Sequence, residues 1–130
     1  MLLKSLPNEN GVLAALTPAV YACLTPNLKR VRLEAGSTLY DIGSTSDHAW
    51  FITSGIVSLF AAAESGGVIE IGTIGREGVA GLSLITKING IKLWARVQIS
   101  GEALQIDART LQNIIRQESA FHILLFKYMH

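Results

Sequence analysis

Cysteine is almost missing from this chain. Cys23 is the only one in 130 residues, which excludes an internal disulfide and any thiolate cluster within one copy. That usage fits a reducing compartment, and a cytoplasmic location is expected. Histidine is nearly as scarce: His48, His122 and His130 show no H-x-H or H-x-x-x-H spacing, so neither a metal site nor a cofactor is expected. Neither sign of charge dominates, with 11 Lys and Arg against 10 Asp and Glu. Basic residues gather only at Lys29, Arg30 and Arg32, which gives no electrostatic footprint for nucleic acid. Long hydrophobic runs are missing too, since none approaches the roughly eighteen residues of a membrane span. Repeats, low-complexity tracts and linkers are absent, so the chain reads as one domain, large enough to bury about two thirds of its unfolded surface.

The stretch 20–23, Val-Tyr-Ala-Cys, has the look of a lipoprotein cleavage box behind the apolar residues 11–22. Glu9 and two asparagines stand where a signal peptide needs basic charge, however, and Thr17-Pro18 breaks the run and makes a good helix start. Residues 1–28 therefore read as short helices. Asn8 or Asn10 caps one carrying Val12, Leu13 and Leu16, and Thr17 with Pro18 starts a second carrying Val20, Tyr21 and Leu24. Cys23 on this second helix is expected to pack as a small hydrophobe.

From Arg30 the period changes to two, with Val31 and Leu33 on one side and Arg30, Arg32 and Glu34 on the other. Short β-branched or aromatic segments follow at 38–42, 48–52, 56–62 and 68–74, separated by Gly36, Gly43, Gly55 and Ser65-Gly66-Gly67. Two more strands are expected at 92–99 and 102–106, with Ser100-Gly101 as the turn between them. Strands of this length at this spacing predict an antiparallel sandwich or roll. Asp107 then caps a helix carrying Leu111, Ile114 and Ile115. In 119–130, Phe121, Leu124, Leu125 and Tyr128 form one apolar stripe while Ile123 and Phe126 lie off it. A helix apolar nearly all round must be covered on more than one side, and this one reaches Met129-His130 without a capping signal.

The most shaped stretch is 71–83, where an apolar strand runs into glycines at 75, 78 and 81. Glycine at this spacing predicts backbone that turns sharply or approaches something closely, and a strand followed by such a turn presents N–H groups suited to an anion.

Phe51-Ile52-Thr53-Ser54-Gly55-Ile56-Val57-Ser58-Leu59, Glu70-Ile71-Gly72, Gly75-Arg76-Glu77-Gly78-Val79-Ala80-Gly81 and the stretch 94–106 carry a resemblance. Together they resemble the sensor domain of the cyclic-AMP receptor protein (Crp/Fnr) family, over nearly the whole chain. The resemblance implies a mainly-β fold, an antiparallel double-stranded β-roll (jelly roll) flanked by short N-terminal helices and C-terminal helices. It also implies a homodimer formed through the C-terminal helix, with Phe121, Leu124, Leu125 and Tyr128 at the interface. DNA contact is expected only through a domain not in this chain, so 1–130 reads as the sensor domain plus the start of the dimerisation helix.

In that family the phosphate-binding cassette pairs a Gly-Glu-Leu-like turn, whose Glu holds the ribose, with an Arg about ten residues on that meets the cyclic phosphate. The matching turn here is Gly81-Leu82-Ser83, and Ile91-Lys92 stand where the Arg and its polar neighbour would be. Gly81, Leu82, Ser83, Ile91 and Lys92 are thus the candidate ligand residues, with both decisive charges replaced by apolar side chains. Lys92 is the one substitute cation, acting as a point charge on a flexible stem. The helix 122–130 also ends before the family's base-contacting positions.

The expected function is a non-catalytic sensor and dimerisation domain of a Crp/Fnr-type regulator, with an unnamed small-molecule effector, no membrane partner and no useful affinity for cyclic AMP. Arg76 and Glu77 are expected to pair locally, and Trp50 and Trp94 to pack rather than stack on a base. Two alternatives stand beside this reading. A cupin-like metalloenzyme requires clustered His and Glu, and only His48 lies in the roll. A stand-alone ligand-binding or adaptor module requires a roll used for contacts alone.

Overall fold

The computed structural model describes residues 9–40, 47–62, 66–81 and 93–118. The chain enters through α1 (Gly11–Ala14) and α2 (Pro18–Leu24). Asn10 is extended and its Oδ1 accepts from the N–H groups of Val12 and Leu13 at 3.0 and 3.2 Å. Thr17 Oγ1 accepts from Val20 N–H at 3.3 Å, and Pro18 occupies the first turn, where its missing N–H costs nothing. A 3-10 turn at Thr25–Asn27 ends the helical entry.

One expectation fails in this region. Cys23 is exposed. The helix buries Val20 and Leu24, one turn apart, and the residue just before Leu24 is rotated about 100° away from that face.

Eight strands follow among the described residues: β1 (Lys29–Leu33), β2 (Thr38–Tyr40), β3 (His48–Ile52), β4 (Ile56–Ala62), β5 (Val68–Ile74), β6 (Val79–Ala80), β7 (Leu93–Ile99) and β8 (Gly101–Asp107). They form two antiparallel sheets, ordered β1-β8-β3-β6 and β2-β7-β4-β5. The expected β-roll is the observed fold. Gly101 is not in the turn after β7, as expected from its sequence, but opens β8, because it pairs with Leu33 of β1 and leaves Ser100 alone between the strands.

The first sheet buries both faces. Ala49, Phe51, Val79, Leu104 and Ile106 pack with Val12, Leu13, Val20 and Leu24 of the entry helices. Leu33, Trp50, Ile52, Ala80 and Ala103 point the other way, into a second cluster with Val57, Ala95 and Val97 of the opposing sheet. Strand period two is what lets neighbours such as Trp50 and Phe51 serve different layers. Phe51 and Ile52 are fully buried, so the sheet is the middle of three layers.

The final described helix, α3 (Ala108–Gln117), is capped by Asp107, whose Oδ2 accepts from Thr110 N–H at 2.9 Å and Thr110 Oγ1–H at 3.1 Å. It buries Leu111 and Ile114 against the helical layer and stops at Glu118, which is extended. The predicted dimerisation residues Phe121, Leu124, Leu125 and Tyr128 lie outside the described residues.

Candidate functional site

The glycine-rich stretch is built from its neighbours inward. β5 ends at Ile74, and the chain reverses through a turn closed by Gly78 N–H donating to Gly75 O at 3.0 Å. Glu77 folds back so that its Oε1 accepts from Gly75 N–H at 3.0 Å, which gives this carboxylate a backbone role inside the turn. β6 then pairs Val79 and Ala80 with Phe51 and Trp50. Val79 reaches the helical layer and Ala80 the roll interior.

Gly81 follows, with φ of +97°, and a Cβ on it would stand 2.9 Å from His48 O and 3.2 Å from Ala49 Cα. Both properties the sequence predicts for this glycine, a special backbone angle and a close approach, are met at once. The chain leaves the first sheet at this point. It is next described at Leu93, the start of β7, in the second sheet.

Of the five candidate ligand residues, the structure places Gly81. Leu82, Ser83, Ile91 and Lys92 lie outside the described residues, between Gly81, just past β6, and Leu93, the start of β7.

The described interior of the roll is apolar. Its buried cluster consists of Leu33, Tyr40, Trp50, Ile52, Val57, Ala80, Ala95, Val97 and Ala103, with no charged member. Trp50 is 6% exposed, stacks on Tyr40 at a ring separation of 6.1 Å, and donates its Nε1–H to Gln105 Oε1 at 3.0 Å. It is a packed core residue with its one polar atom satisfied. Trp94 is half-buried and stacks on Phe60 at 5.6 Å, so it too has a protein partner.

Arg30 is held outside the roll by Glu9 at 2.9 Å and Glu102 at 3.3 Å, and the Glu9 hydrogen bond raises its already high pKa. It is engaged on the β1 surface. Among the described residues no group of three or more His, Cys, Asp or Glu is placed to hold a metal, and no helix is long and apolar enough to cross a membrane.

Two features were not read from the sequence. β5 is an edge strand whose Val68, Ile69 and Ile71 are 62, 54 and 51% exposed. Asn10, read as a cap, also sends its side-chain amide to Ile52 O at 2.6 Å and Gly78 O at 3.0 Å, tying the entry helix to the glycine turn. The signal available was an Asn-Gly pair at a helix start, which predicts the cap and says nothing of the long-range bonds.

Two facing four-stranded sheets with helices on one outer face define a jelly-roll domain. Residues 30–118 match the cyclic nucleotide-binding domain family, and the chain belongs to it. Solved structures share the fold. A protein described as a Crp/Fnr-family transcriptional regulator from Eubacterium rectale superposes with a TM-score of 0.79 at 13% identity, over 94% of this chain and 57% of its own. The sensor domain of the transcriptional regulator DNR from Pseudomonas aeruginosa gives 0.73 at 10% identity, over 98% of this chain and 87% of its own. The catabolite activator protein of Thermus thermophilus gives 0.70 at 16% identity, over 92% and 56%. The chain thus spans little more than half of the first and third of these, and at such identities the likeness is one of fold. No curated protein matches the sequence.

Proposed function

We propose that this chain is the non-catalytic sensor and dimerisation domain of a Crp/Fnr-type transcriptional regulator, and that its pocket does not answer to cyclic AMP. Family membership and the likeness in fold to regulators support the first part. The observation that carries the second is in the sequence: after Gly81, whose φ is +97°, the resemblance puts Leu82 and Ile91 where the family has the ribose acid and the phosphate cation.

Among the described residues the buried polar or charged ones are Asn10 and Ser58, so none supplies a charge in compensation. A cyclic phosphate deprived of its charge-assisted partner loses roughly 1.5–3 kcal/mol, about one to two decades of affinity.

The effector is then a different small molecule, one met by an apolar Leu82 and Ile91, with Lys92 as the nearest cation in sequence. Such a ligand acts by preferring one arrangement of the 119–130 segment over another, since only differential affinity shifts an equilibrium. DNA contact belongs to a domain outside this chain.

The test is isothermal titration of the 130-residue protein with cyclic AMP and with cyclic GMP. Micromolar binding of either would sink the proposal. A salt-dependent gel shift of operator DNA by this chain alone would count against the assignment of DNA contact elsewhere.

A further inference from the structure

A four-residue helix has no stability of its own, so the place of α1 is decided by what it touches. Asn10, at its head, is 1% exposed and uses its whole hydrogen-bonding capacity. Oδ1 accepts from Val12 and Leu13, and Nδ2 donates to Ile52 O at 2.6 Å and Gly78 O at 3.0 Å. Gly78 O also accepts from Ile52 N–H at 3.3 Å, so one side chain holds the end of β3 and the glycine turn together.

Its neighbours make the same attachment. Gly11 N–H donates to Arg76 O at 2.7 Å, and a Cβ on Gly11 would stand 3.2 Å from Glu77 Cα, a contact that only glycine makes without displacement. Glu9 pairs with Arg30 of β1. Three consecutive residues therefore dock on the turn, on β3 and on β1. Just past the turn, Val79 shares a buried cluster with Val12 and Leu13 of α1 and with Leu111 and Ile114 of α3.

From this geometry we infer that Asn10 is a positioning residue that makes the glycine turn and the helical layer one cooperative unit. A displacement of the turn, which leads through β6 to Gly81, carries α1 with it and reaches α3 through the shared core. The inference goes beyond the sensor reading by naming the contact between the glycine turn and the helices, and it holds whether or not an effector binds.

The residue type fits both tasks. Aspartate would cap α1 but set a carboxylate against two carbonyl oxygens; serine would cap it without reaching them.

Asn10→Ser separates the two tasks, and amide hydrogen exchange on the full 130-residue chain reads the result. The amide of Ala14, bonded to Asn10 O, reports α1; that of Gly78 reports the turn; that of Val97, bonded to Ser37 O, reports the far sheet. Loss of two side-chain bonds is expected to speed Ala14 and Gly78 together, by a common factor of roughly ten- to a hundredfold, with Val97 unchanged. No change at either amide would overturn the inference, since Asn10 would then be a cap and nothing more, and faster exchange at one of the two alone would overturn it because α1 and the turn would then open separately. Equal acceleration at all three amides would overturn it as well, because that is global destabilisation. Should Asn10→Ser fail to fold, Gly11→Ala, which keeps the cap and pushes α1 off Glu77, carries the same three-amide test with the same expected and contrary results.

Discussion

Gly81 stands against the first residue of β3, where a methyl group on it would lie 2.9 Å from the carbonyl oxygen of His48. That contact, together with a φ of +97°, sets the point just past β6 at which the chain leaves the first sheet. Gly81→Ala is therefore expected to cost at least about 1–3 kcal/mol, from backbone strain alone. Gly72→Ala, whose new Cβ meets nothing within 4 Å, is expected to change stability by well under half as much. Urea unfolding of the two variants checks this, and equal midpoints would contradict it.

Asp107 gives an acid-dependent signature at the start of α3. The backbone N–H of Thr110 first, and its hydroxyl second, hold the Asp107 carboxyl below its ordinary value of 3.8. A depressed folded value means the charged cap stabilises the fold at pH above the ordinary value and loses that contribution as pH falls through the folded one. Asp107→Asn keeps an oxygen acceptor and removes the titration. Its melting temperature is expected to fall less steeply than that of the wild type below pH 3.8, and parallel acid limbs would rule the effect out.

Much of this fold is legible because its punctuation is local. Asn10 (one of two asparagines offered), Thr17 and Asp107 mark three helix starts through short-range hydrogen bonds, Gly55 separates β3 from β4, and Gly66 precedes β5. What the sequence hides is non-local. The alternation in 68–74 does not reveal that β5 is the edge of its sheet, and the exposure of Cys23 follows from which face of α2 meets the sheet. The candidate site divides in the same way. Gly81 is readable as a backbone requirement, whereas the long-range role of the Asn10 amide needs the approach of Ile52 and Gly78, 42 and 68 residues away.

The dimer reading rests on the stripe Phe121, Leu124, Leu125 and Tyr128. Leu124→Glu combined with Leu125→Glu places two charges in that stripe and is expected to convert a dimer to monomer in sedimentation equilibrium, while circular dichroism keeps its β-sheet signal. A double variant that stays dimeric would move the interface elsewhere, with the exposed Val68, Ile69 and Ile71 as the next surface to substitute.

The central claim, that of the proposed function, is that this roll has a glycine turn at the place of a nucleotide cassette without the charges that would make it bind cyclic AMP. Titration calorimetry with cyclic AMP, run side by side on the wild type and on a variant carrying Leu82→Glu and Ile91→Arg, tests it most directly. The account predicts no micromolar binding by the wild type and a gain of roughly one to two decades or more in the variant, as the acid and the phosphate partner return. Micromolar binding by the wild type would contradict it.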